Sequence, residues 1–129
     1  MPRKTFTAGE VLAAADVNLY LSNEITLTSS TATAYTVATA DRYKTLRFSA
    51  GSAVTVTIGT ATAFQAGERV DILMDGAGTV TITRDGTATS LAGRGTAGTA
   101  YKIGQQYDAV SVLCVDANTY RVIGNASAV

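Results

Sequence analysis

From residue 24 onward, apolar and β-branched side chains alternate with polar ones in short runs: EITLT, AYTVA, KTLRFS, AVTVTI, RVDILM, TVTITR, TAYKI, AVSVLCV and YRVIG. A period of two places the apolar members on one face of an extended chain, so each run predicts a half-buried strand. Turn signals separate the runs, at Ala40-Asp41, Ala50-Gly51-Ser52, Gly59, Ala66-Gly67, Asp75-Gly76-Ala77-Gly78, Asp85-Gly86 and Asp116-Ala117-Asn118. Gly supplies positive φ there, and Asp or Asn closes local side-chain turns. About eight short strands spaced in this way predict an all-β fold, an antiparallel β-sandwich or barrel. A parallel arrangement is not expected, because it needs crossovers and no segment after residue 23 has a helical apolar period of sufficient length. The GRGTAGT stretch from Gly93 to Thr99 predicts a flexible surface loop. TVTI occurs at Thr55 to Ile58 and at Thr79 to Ile82. Without a third copy at that spacing, it reads as convergent strand composition and not as a solenoid period.

Residues 1–23 follow a different pattern, so the chain divides into an N-terminal segment and a Thr-rich β domain spanning 24–129. Thr7 followed by Glu10 matches a capping box, in which hydroxyl and carboxylate each satisfy a backbone N–H at a helix start. Phe6 and Val11 stand where two apolar side chains staple the entering chain to the first turn. Val11, Leu12, Val17, Tyr20 and Leu21 continue an apolar stripe at roughly helical spacing, with Glu10, Asp16, Asn18 and Asn23 falling largely elsewhere. A short isolated helix is marginal in water, so this stripe must dock on its own domain or on a partner. The candidate docking interface is Phe6, Val11, Leu12, Val17, Tyr20 and Leu21.

Composition narrows the chemistry. No His is present, which excludes His-activated nucleophiles and His-based zinc sites. Asp71 and Asp75 could pair as glycosidase carboxylates, but four positions along an extended strand separate them by about 13 Å, beyond what that mechanism uses. They read as solvated strand-end and turn carboxylates. DGAG and RDGT each offer one carboxylate, too few for a calcium loop. Catalytic residues, metals and cofactors are therefore not expected.

Ten basic and ten acidic residues cancel, and the basic ones are scattered, so neither nucleic acid nor an anionic membrane is an expected partner. The MPRKTF opening precedes no h-region, and no apolar run approaches bilayer length, so neither a signal peptide nor an anchor is expected. Cys114 stands alone inside VSVLCVD and reads as a small buried hydrophobe. With 21 Thr, 22 Ala, three Phe and no Trp, the core is thin, which favours stabilisation by oligomer or lattice contacts. The six Tyr read mainly as half-buried strand rings. The other reading is a glycan-contacting patch formed by Tyr101, Tyr107 and the Gly93 to Thr99 loop.

The string RKTFTAGEVLAAADVNLYL, about residues 3 to 21, resembles the opening of small virion structural proteins, of minor tail or decoration type, in tailed phages of actinobacteria. It departs from that pattern at Ala13, where those proteins tend to carry Thr or Ser, and at Leu19, where they tend to carry a polar residue. Ala13 cannot cap a second helix start, which leaves Asp16 only its favourable charge near a helix N-terminus. The body, from AYTVATADRYKTLRFSAGSAVTVTI onward, is similar in style to β domains of phage tail fibres. The resemblance implies a non-enzymatic virion protein, assembled in the host cytoplasm. Its N-terminal segment would dock on tail or capsid subunits, and the chain would form a homo-oligomer, with a trimer suggested by the appendage domains. A tail or fibre-type accessory protein is the first expectation. A capsid decoration protein is the alternative, and a host-receptor or surface-glycan module the second.

Overall fold

The structure of the chain is a computed structural model, which describes residues 5, 7–11, 13–16 and 26–129. Twelve strands form two sheets among these residues. The first six alternate between the sheets. Strands β1 (Leu27–Ser30), β3 (Thr45–Phe48) and β5 (Arg69–Met74) lie side by side in one, and β2 (Ala34–Thr36), β4 (Val54–Ile58) and β6 (Val80–Arg84) in the other. All of these neighbours run parallel.

The second six complete the sheets: β7 (Ser90–Gly93), β8 (Thr96–Gly98), β9 (Ala100–Ile103), β10 (Ala109–Asp116), β11 (Thr119–Gly124) and β12 (Ala126–Ala128). The resulting orders are β1-β3-β5-β10-β11-β7-β8 and β12-β9-β6-β4-β2. Pairings in this half are antiparallel, except that β7 lies parallel to β11.

The all-β expectation therefore holds, while the antiparallel sandwich is corrected to two mixed sheets. Parallel neighbours need a crossover, but that crossover need not be a helix. Here each return is made by a strand of the opposite layer, so β2 carries the chain from β1 to β3 and β4 carries it from β3 to β5.

The same geometry corrects the reading of TVTI. The two copies are adjacent rungs: Val54 lies beside Val80, Thr55 beside Thr81, Val56 beside Ile82 and Thr57 beside Thr83. Ala34-Tyr35-Thr36 supplies a third rung, in register with Thr55-Val56-Thr57. Partners 54 and 80 in one sheet, and 45 and 71 in the other, are separated by the same sequence step, which is the signature of a coiled path. The first coil is shorter, so the sequence carries no third copy at constant spacing.

Nine strands fall on or beside the predicted runs. β7, β8 and β12 (SLAG, TAG and ASA) are three or four residues long and carry one large apolar residue between them, the buried Leu91, so they give little alternation to read. The loop expected from Gly93 to Thr99 is instead largely the β7–β8 hairpin, turned by Arg94 and Gly95. Both turn residues have positive φ, 45° and 79°, as a two-residue type I′ turn demands.

Alternation fills one core between the sheets. Leu46, Phe48, Val70, Ile72, Val110, Val112 and Tyr120 point inward from one, and Val54, Val56, Ile58, Val80, Ile82, Tyr101 and Ile103 from the other. Full burial of each aliphatic side chain is worth about 1.5–3 kcal/mol relative to exposure. Two edge-to-face ring pairs anchor it, Tyr35 on Phe48 at 5.5 Å and Phe64 on Tyr120 at 6.1 Å.

Of the helix expected before Glu24, the described residues show only Ala14–Asp16. The Thr7–Glu10 stretch forms a turn, with the Glu10 N–H donating to the Thr7 carbonyl at 3.0 Å and Gly9 at φ 84°. Half of the capping box is made, because the Thr7 N–H donates to the Glu10 carboxylate at 3.0 Å. Gly at the third turn position accounts for the difference, since it admits a left-handed conformation that a helix excludes.

Connections β3–β4 and β5–β6 pack backbone on backbone. A Cβ on Gly78 would overlap the Ser52 carbonyl, whereas one on Gly51 meets nothing within 4 Å. Gly78→Ala is expected to destabilise the domain by about 1–3 kcal/mol or more, as overpacking does. Gly51→Ala should shift stability by less than about 1 kcal/mol, the scale of the unfolded-state entropy change alone. Urea denaturation of the two variants checks the contrast.

Candidate functional site

The proposed docking residues are placed only in part. Val11 is 84% exposed, so it is not spent on the core of its own domain. Phe6, Leu12, Val17, Tyr20 and Leu21 lie outside the described residues. Near this end of the chain, β1 and β2 form the outer rungs of the two sheets among the described residues.

The carboxylates considered for catalysis are each engaged separately. Asp71 accepts from the Ser111 hydroxyl at 2.5 Å and faces Arg69 Nε at 3.9 Å. Asp75 accepts both Nε and Nη2 of Arg47, at 2.6 and 2.5 Å. These contacts tie outward-facing strand positions together.

Two carboxylates that the sequence did not single out are more buried. Asp41 is 5% exposed and accepts from the Tyr35 hydroxyl at 3.0 Å and the Ala38 N–H at 2.9 Å, with Lys44 Nζ at 3.6 Å. Glu68 is 1% exposed, accepts from the Gln65 N–H at 2.9 Å and lies 3.9 Å from Arg42 Nη1. Each closes a loop between layers by satisfying a backbone donor that the crossover strips from the ladder. Their only signal in the sequence was the turn residues Ala40-Asp41 and Ala66-Gly67.

Cys114 is buried as expected, its thiol directed at the Phe64 and Asp116 carbonyls at 3.2 and 3.1 Å. Burial pushes that thiol up, more than the Asp116 backbone contact lowers it. The Tyr120 hydroxyl, which accepts from the Phe64 N–H at 3.3 Å, is also pushed up by burial.

The tyrosines divide sharply. Tyr101 and Tyr120 are fully buried, and Tyr35 is half-buried. The Tyr101 hydroxyl lies under Gly98 and its ring edge under Gly93, so it supports the β7–β8 hairpin from inside and cannot contact a glycan. This removes Tyr101 from the patch suggested by the sequence. Beside the hairpin, Arg94, Gly95, Arg121, Val122 and Ile123 line a shallow groove.

Tyr107 differs from the rest. It is 71% exposed and lies between β9 and β10; its φ of 72° is positive, as is that of the half-buried Tyr43 at 60°. Its N–H donates to the Met74 carbonyl at 2.7 Å, and the Met74 N–H donates to the Asp108 carbonyl at 3.0 Å. The Gln106 side-chain amide donates to the Asp75 carbonyl at 3.0 Å, and the Asn125 amide donates to the Asp108 carboxylate at 2.8 Å. Three connections are thus knitted into one end of the molecule. Comparison with family models, curated proteins and solved structures gave no match.

The Tyr35–Asp41 contact carries a pH signature. Burial first, then the hydrogen bond and negative charge of Asp41, push the Tyr35 phenol from 10.0 to about 12. A folded value above the unfolded one gives stability that is complete below pH 10 and lost as pH rises toward about 12. Tyr120 and Cys114 shift in the same direction and add to the alkaline loss. Tyr35→Phe should lower stability at neutral pH, because it leaves Asp41 short of a donor, and should flatten the alkaline decline. Urea midpoints measured from pH 8 to 12 check both effects.

Proposed function

We propose that this chain is a non-enzymatic structural protein of a tailed-phage particle, docked on a larger symmetric assembly through its N-terminal segment. The observation that carries this reading is the RKTFTAGEVLAAADVNLYL opening, with its similarity to small phage virion proteins. The exposure of Val11 is consistent with an apolar stripe turned toward a neighbour. A tail or fibre-type accessory position is favoured by that opening, and a lattice-clamping position on the capsid is the alternative.

Self-association in the assembly draws support from the distribution of charge on the sheets. Among the described residues, every charged strand residue lies on an interior strand: Arg47, Arg69, Asp71, Arg84, Lys102, Asp116 and Arg121. The outer strands LTSS, AYT, TAG and ASA carry none. Soluble proteins usually protect sheet edges with Lys, Pro or bulges, because unpaired N–H and C=O groups recruit other strands. Uncharged edges fit a domain whose edges are covered by further copies of itself.

Two experiments test these parts separately. Leu12→Asp combined with Leu21→Asp should leave the β domain folded, with an unchanged melting temperature, yet absent from purified particles by mass spectrometry. Loss of folding would instead show that the segment completes the domain's own core. Ser29→Lys combined with Thr36→Lys should convert the oligomer to monomer in sedimentation analysis, and an unchanged oligomer would remove β1 and β2 from the interface.

A further inference from the structure

Tyr107 is where the sequence acts against the stability of the fold. A β-carbon and a large ring are held at φ 72°, in the left-handed region that Gly and Asn occupy most readily. The ring returns little burial, being 71% exposed. Of the non-Gly residues at positive φ among the described residues, Tyr43, Ala63, Arg94, Tyr107 and Asn118, Tyr107 alone joins an aromatic ring to high exposure, so neither backbone preference nor packing accounts for it, and outliers of this kind cluster at functional sites.

The surroundings are polar and prearranged. Gln105 and Gln106 are exposed beside the ring's backbone, Asp108 and Asn125 are fixed to each other, and Gly104 N–H donates to the Asn125 carbonyl at 2.8 Å. Gly104 itself leaves room for the Asn125 side chain, which a Cβ there would displace. The Gln106 side chain is anchored on the Asp75 carbonyl, and Arg47 is committed to the Asp75 carboxylate.

We infer that this loop end binds a neutral saccharide, with the Tyr107 ring as stacking platform and Gln105, Asp108 and Asn125 as the hydrogen-bonding rim. A pyranose offers an apolar C–H face to an aromatic ring and hydroxyl groups to amide and carboxylate acceptors. The remaining carboxylate charge of Asp108 repels anionic sugars. A protein partner is favoured less, because the groups flanking Tyr107 are amides and carboxylates and, of the other exposed large apolar residues, only Ile123 stands close in sequence to a rim residue, two positions before Asn125. Hydrogen bonds from three connections keep the site rigid, which lowers the ordering cost of binding.

The test uses the full chain with soluble neutral glucans, mannans, galactans and arabinans, and a polyuronate as the anionic control. Binding is screened on a glycan array and measured by saturation-transfer NMR. Saturable binding to a neutral saccharide is expected, without binding to the polyuronate. Tyr107→Gly should weaken it by about tenfold or more while the melting temperature holds or rises, since glycine relieves the backbone. Tyr107→Phe should retain most of the affinity. The inference is overturned if the wild-type chain binds none of the neutral panel, if it binds the polyuronate equally well, or if Tyr107→Gly leaves affinity unchanged. It is likewise overturned if Tyr107 proves shielded by a neighbouring virion protein when particles are footprinted, which would make the ring a protein contact.

Discussion

The fold depends on one constraint: each sheet can bury its apolar face only against the other. A chain of short alternating strands meets it by crossing from layer to layer, and each crossing sets the next strand parallel to the one before last. Val54 on Val80 and Val56 on Ile82 follow from that path, as do the matched Thr on the outer face. Cross-strand pairs of like β-branched residues pack well on a pleated surface, so a composition poor in large aromatics still fills a narrow gap between sheets. Beyond β6 the chain makes two hairpins, β7–β8 and β10–β11, and every pairing except β7 on β11 is antiparallel.

Layer crossing has a cost in stranded backbone groups, and buried carboxylates offset it. Asp41 and Glu68 each accept a backbone N–H three residues away in a connection between layers, and each faces a cation at longer range. Removing one partner from such a site leaves a buried charge uncompensated, which is far worse than never having had the pair. Asp41 also fixes the Tyr35 ring against Phe48, so a loop device and the aromatic part of the core are mechanically one unit. The upward shift of the Tyr35 phenol is a by-product of this arrangement.

Function, on the reading given above, is distributed by position. Chemistry at the N-terminal end is that of apolar contact, the outer strands offer uncharged hydrogen-bonding edges, and the loop end around Tyr107 offers a ring amid amides. Separation of this kind suits a component that must hold to a particle through one part and face the surroundings with another.

The two-residue period alone determined that the chain is built of strands, where nine of them fall, and which residues turn inward. The reason is local: alternation along an extended chain has a single outcome once one face must leave water. Cys114 in the core followed from the same rule. Strand direction was not legible, because parallel and antiparallel neighbours show the same alternation, and the layer of the returning strand is a property of the whole path. TVTI looked incidental until Val54 and Val80 lay side by side, and SLAG, TAG and ASA became strands only because neighbours supplied partners for their backbones. Tertiary structure also decided the fates of the tyrosines. Tyr101 and Tyr107 have equal claims in the sequence, yet one closes the core beneath a hairpin and the other stands in solvent on a strained backbone, since burial depends on what the rest of the chain places above a residue.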